Sequence, residues 1–145
     1  MITPHPTSKI DPAVARGVLG AVVAPTALKP GYIKFLVPNT SYELHLLPAG
    51  EIHAQPGKRL VGVIRVKARR IDAVGTGGQF VEPVFGRPRR VQGTVIRAES
   101  GAVVVDAGVP IHVTPTDERQ SPDQFQPGTL VSMDVLDGAT FEQSR

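Results

Sequence analysis

The chain contains no cysteine and no tryptophan, and only seven of its 145 residues are aromatic, five Phe and two Tyr. Without cysteine there are no disulfides, no thiolate metal sites and no cysteine nucleophile. The absence also fits a reducing compartment. Long hydrophobic runs are missing too. The most apolar stretch, Gly17 to Ala24, is far shorter than the roughly 20 residues of a membrane helix. The N-terminal MITPHPTSKIDP has no basic region followed by an apolar run, so no signal peptide is expected. These absences predict a soluble, cytoplasmic protein with no membrane partner.

What the chain has in abundance is Gly and Pro, 29 residues together, spread along its length. Short Val-rich runs between them predict an all-β fold with little helix. A chain of this length buries roughly two-thirds of its unfolded surface and needs no metal staple. Residues 1–12 carry three prolines and are expected as a flexible arm. Strands are expected over Gly17–Val23, Tyr32–Val37, Tyr42–Leu47, Glu51–Ala54, Leu60–Ala68, Ile71–Val74, Gln79–Phe85, Val91–Arg97, Ala102–Ala107, Ile111–Thr114 and Leu130–Leu136. Pro48-Ala49-Gly50 suits a bulged hairpin between the third and fourth of these. The polar loop from Pro115 to Pro127 is long enough for one helical turn. Residues 137–145 read as an exposed tail, anchored by Phe141. The expected division is an arm at 1–12, a β unit with a basic strand at 13–90, a second β unit at 91–138 and a tail at 139–145. The units form two packed halves or one elongated domain.

An internal echo links the halves. Gly20-Ala21-Val22-Val23 matches Gly93-Thr94-Val95-Ile96, and Gln55-Pro56-Gly57 matches Gln126-Pro127-Gly128, at offsets of 73 and 71. A duplicated β unit and chance recurrence of Gly and Pro both account for two anchors.

Charge is segregated. Residues 58–97 hold ten of the sixteen Lys and Arg and only two acids, a formal charge of +8. Residues 98–145 sum to −6. Alternation on Leu60–Ala68 puts Arg65 and Lys67 on one face, with Arg69 following in phase and Arg70 next to it. Arg87, Arg89 and Arg90 form a second cluster. If the clusters converge they track a phosphate backbone, and RNA or single-stranded DNA is the expected partner. Few aromatics point to contact without sequence readout. The competing expectation is pairing with the C-terminal acids Asp106, Asp117, Glu118, Asp123 and Asp134. That pairing arises within one chain or, as self-association, in a homo-oligomer.

Residues 91–108 (VQGTVIRAESGAVVVDAG) and 125–138 (FQPGTLVSMDVLDG) resemble the oligonucleotide-binding (OB) fold, and within it the S1-like small β-barrels. Gly93, Val95, Gly108, Gly128, Val131, Val135 and Asp137 occupy the family's core and turn positions. The resemblance covers about a third of the chain and implies an OB-like barrel that binds nucleic acid. One departure stands out: Ala102–Ala107 is aliphatic where such barrels usually expose aromatics.

Catalytic groups are not evident, since Ser100 and Ser132 lack a matched base, and a small-ligand or metal-dependent enzyme stands only as a third reading behind the binding module and the self-assembling protein. Gly75-Thr76-Gly77-Gly78 lacks the Lys-Ser/Thr ending of a phosphate loop and reads as a turn. No cofactor is expected, with one exception. A bulged hairpin would face His45 with His53, beside Glu43, and that set could hold a divalent metal. A one-residue change of register separates the pair.

Overall fold

The computed structural model describes residues 11–144; most of the expected N-terminal arm, residues 1–10, lies outside them. Among the described residues twelve strands form one continuous, strongly curled sheet. They are β1 (Ala15–Val23), β2 (Tyr32–Leu36), β3 (Glu43–Pro48), β4 (Arg59–Ala68), β5 (Asp72–Ala73), β6 (Phe80–Glu82), β7 (Phe85–Gly86), β8 (Arg90–Glu99), β9 (Ala102–Asp106), β10 (Pro110–Pro115), β11 (Leu130–Asp134) and β12 (Thr140–Gln143). One 3-10 turn, Pro122–Gln124, falls in the polar loop where a helical turn was expected. Among the described residues no helix is long and apolar enough to cross a membrane.

Five strands close into a barrel in the order β1-β2-β3-β12-β4, with β4 returning to β1. Strict alternation explains the closure. Leu19, Ile33, Phe35, Leu44, Leu46, Leu60, Ile64 and Phe141 all point inward and are fully buried. Phe35 and Phe141 meet inside, with ring centroids 5.0 Å apart. Residues 140–143 are therefore not an exposed tail. β12 runs parallel to β3 and antiparallel to β4, and supplies the stave that closes the barrel. The burial of Phe141 is what draws it in.

β4 continues past this barrel. Its last residues run parallel to β10, and the sheet goes on through β9, β8 and β11. Beyond β11, Val135 bridges back to Ala68, and the Leu136 N–H donates to the Lys67 carbonyl at 2.7 Å. The second half thus curls round onto the far end of β4.

The two halves repeat one another residue by residue. In β1–β2, Val18 pairs Leu36 and Leu19 pairs Phe35, a bulge follows, and Ala21 pairs Lys34. In β8–β9, Thr94 pairs Asp106 and Val95 pairs Val105, a bulge follows, and Arg97 pairs Val104. Gly17 opposite Leu60 repeats as Gly93 opposite Val131. Lys34 opposite His45 repeats as Val104 opposite His112. Phe141 opposite Ile64 repeats as Ala68 opposite Val135.

The Gln-Pro-Gly echo is structural. Gly57 N–H donates to the Leu19 carbonyl at 2.7 Å, and Gly128 N–H donates to the Val95 carbonyl at 2.8 Å. Both glycines take positive φ, +88° and +91°, which favours Gly at each. The other anchor was misplaced. The partner of Gly93 is Gly17, not Gly20. At either one a side chain would collide with the facing strand, at the Leu36 carbonyl and at the Asp106 carbonyl. Each half borrows its fifth stave: β12 joins the first barrel, and the end of β4 joins the second curl.

Candidate nucleic-acid interface

Arg65 and Lys67 project outward from β4, as alternation predicts. They do not form an unopposed row. Arg65 pairs with Glu142 of β12 at 2.7 Å. Arg70 reaches Asp72 at 3.2 Å and Asp117 at 3.4 Å. Arg87 meets Asp137 at 2.8 Å, and Arg90 meets Asp134 at 2.9 Å. Among the described residues Lys67, Arg69 and Arg89 form no ion pair. Much of the C-terminal acidity is thus spent within the chain, on residues the expectation only partly named. The pairs involving Asp117 are strong enough to hold its carboxyl down at about 2, chiefly through hydrogen bonds from the Arg119 side chain and backbone, with Arg70 adding attraction. The four paired arginines of the two basic clusters remain 45–63% exposed. Such pairs contribute roughly 0–1 kcal/mol each, so an anion can displace the carboxylate from these arginines at little cost.

The two clusters separate. Arg87 lines a cavity of about 300 Å³. Arg89 and Arg90 line a different, open groove with Glu82, Pro83 and Asp134. Arg65 lies nearer the first: Leu47, Thr140 and Arg65 form one lateral row across β3, β12 and β4.

The expected metal hairpin does not form. Residues 51–54 make no strand, because the edges of β3 are already taken by β2 on one side and by β12 and β7 on the other. His45 bonds Glu43 at 2.9 Å, while the exposed His53 sits by Glu51 at 3.4 Å. Among the described residues no three His, Cys, Asp or Glu side chains are grouped to hold a metal.

What the sequence reading missed lies on the outer face of β2 and β3. Tyr32 stacks on His45, with centroids 4.8 Å apart and planes at 25°. Phe85 meets His45 edge-on at 5.2 Å. Glu43 fixes the His45 ring from below, and β7 pairing parallel to β3 brings Phe85 alongside. Phe85 is 60% exposed, a large apolar side chain with no cover. Around this cluster lies the 300 Å³ cavity, walled by Lys29 and Pro30 of the β1–β2 loop, by Tyr32, His45 and Leu47, and by Arg87 and Asp137. The alternation of YIKFL and YELHLL placed Tyr32 and His45 outward. Only the β2–β3 register and the remote β7 make them neighbours.

The equivalent face of the second half is closed. Ala102 and Val104 point outward by register yet are 5% and 0% exposed, and His112 is 3% exposed. The segment just before β1 lies against this face. His112 Nε2 lies 2.8 Å from the Ala13 carbonyl, and Arg97 holds Asp11 at 2.9 Å. The Ala13 N–H, with help from Arg97, keeps the Asp11 carboxyl below its ordinary value.

Scans against protein-family models, curated proteins and solved structures returned no match.

Proposed function

We propose that the protein is a non-catalytic module of the OB-like barrel type that binds single-stranded RNA or DNA at the Tyr32–His45–Phe85 face. One observation carries this reading. OB barrels bind oligonucleotides on the face of their second and third strands, flanked by the loop joining strands 1 and 2 and the loop joining strands 4 and 5. Here the cavity is walled by β2 and β3, by Lys29 and Pro30 between β1 and β2, and by 137–139 leading into β12, the barrel's fifth stave. The strand order β1-β2-β3-β12-β4 is compatible with that architecture.

The chemistry fits the placement. Tyr32 and Phe85 offer stacking surface, worth about 1–3 kcal/mol per base in such proteins. Lys29, Lys34 and Arg87 surround it for phosphates, and Arg65 and Lys67 extend the track along β4. Arg69, Arg70, Arg89 and Arg90 lie further off and play a smaller part. Self-association by basic–acidic pairing loses support, because Glu142, Asp117, Asp137 and Asp134 already have partners in the same chain.

The test is a salt titration with labelled dT10 and rU10, read by fluorescence anisotropy. Binding that weakens with a log–log slope of about −2 to −3.5 corresponds to three to five phosphate contacts at roughly 0.7 each. Undetectable binding at 50 mM salt, or binding unaltered in Tyr32→Ala and Phe85→Ala, overturns the reading.

A further inference from the structure

We infer that the cavity beside Tyr32 reads one unstacked base and selects guanine, with Asp137 as the reading group. This inference rests on the nucleic-acid reading of the same site and adds a specificity to it. The cavity, at about 300 Å³, is at the small end of ligand pockets, suited to one base rather than several. Its walls divide by chemistry. Tyr32 and His45 form a flat stacked pair on one side, and Lys29 and Arg87 supply positive charge at the rim. Asp137 is the single carboxylate in the lining.

A carboxylate in a phosphate-binding site needs a reason, because it repels the backbone it faces. Structural pairing explains part of it: Asp137 Oδ2 accepts from Arg87 at 2.8 Å. Among the described residues that is the carboxylate's one hydrogen bond, so Oδ1 remains available. Asp137 is followed by Gly138 at φ +105°, where the chain turns under the cavity before Ala139 and β12. The turn sets the Asp137 backbone in the cavity wall, and its side chain, 68% exposed, is accessible to a ligand.

Among the four bases guanine alone presents two adjacent donors, N1–H and the N2 amino group, on its Watson–Crick edge. A carboxylate accepts both. Adenine offers an acceptor at N1, cytosine an acceptor at N3 beside its amino group, and thymine or uracil a single N–H between two carbonyls. Each of those sets an acceptor against Asp137 or leaves it half satisfied. Edge readout of an unstacked base held on an aromatic ring is the usual route to sequence preference on single strands. When guanine takes the carboxylate, Arg87 is released towards the adjacent phosphate, so base and backbone contacts reinforce one another.

The experiment compares three labelled strands on the full chain: dT8, dT8 with one central dG, and the same strand with deoxyinosine, which keeps N1–H and lacks the N2 amino group. The expected result is about fivefold or greater preference for the dG strand over dT8, with deoxyinosine between them. In Asp137→Asn the dG-to-dT8 affinity ratio should fall to about one, since an amide offers one acceptor and one donor. Equal affinity for dG and dT8 strands in the unmodified protein overturns the guanine inference and leaves the single-strand reading standing. A dG preference that survives in Asp137→Asn also overturns it, by placing the readout elsewhere. If none of the strands binds at 50 mM salt, the single-strand reading itself has failed.

Discussion

The outer face of β2–β3 and the outer face of β9–β10 have the same register, the same bulge beside them and a histidine at the same place. One is open and aromatic, the other sealed. Three substitutions along the shared framework account for the difference. Where the first face has Tyr32, the second has Ala102, which offers no ring. Lys34 becomes Val104, which prefers cover to water. Ala21 becomes Arg97, whose guanidinium pins Asp11. The histidines follow their surroundings: His45 faces Glu43 and two aromatic rings, while His112 is used up on the Ala13 carbonyl. A repeated backbone therefore does not imply a repeated site. In this molecule one copy is available for a ligand and the other is spent on holding the chain's own approach to β1.

The comparison extends to the interiors, and there the largest effect is expected. Phe141 fills the first barrel where the second curl has Ala68. Phe141→Ala should cost about 3–5 kcal/mol in urea unfolding, by lost burial and a residual cavity. It would also loosen β12 and with it the Asp137–Ala139 wall of the open face. A loss under about 1 kcal/mol would mean that the fifth stave is not needed for closure.

Next come the faces themselves. Tyr32→Ala should weaken single-strand affinity by about 1–3 kcal/mol, measured by anisotropy, as expected for one lost stacking surface. Val104→Ala on the sealed face should leave that affinity unchanged. Equal losses in both would erase the functional distinction between the two.

The histidines offer a reciprocal test. His112→Ala strands a buried carbonyl and should destabilise the fold by about 1–3 kcal/mol. His45→Ala should cost less in stability, because Glu43 can turn to solvent, and more in binding. A reversed order would show that the sealed face does not depend on its histidine.

The smallest effect is acidic. Asp11 has a lowered carboxyl pKa in the folded state, so its contribution is complete above the unfolded value near 3.8 and is lost as pH falls below it. Amide chemical shifts of Ala13 and Val14 should begin to move below about pH 4, while those of β2 and β3 stay put. Asp117, held at about 2, should give up its contact with Arg119 only in still stronger acid.

Several of these features could be read before any fold was known. The all-β class, most strand positions, the inward and outward sides of β3 and β4, and the Gln-Pro-Gly echo all follow from periods and turn chemistry, which are local. The basic centre was equally plain as composition, yet its fate was not, because Glu142 and Asp137 lie 77 and 50 residues from their arginines. The hairpin expected between His45 and His53 failed for a related reason. Pro48-Ala49-Gly50 permits a turn, but β12, arriving from the far end of the chain, competes for the same edge of β3 and brings a buried Phe with it.

The sequence by itself determined the all-β class and the inward and outward sides of β3 and β4, and left a duplicated β unit as one of two readings. Only the tertiary structure decided which strand closes each unit, and so which outer face is left open. Alternation is a property of neighbouring residues. Closure depends on pairing segments that are tens of residues apart, where burial of Phe141 selects one arrangement from many that the local pattern allows.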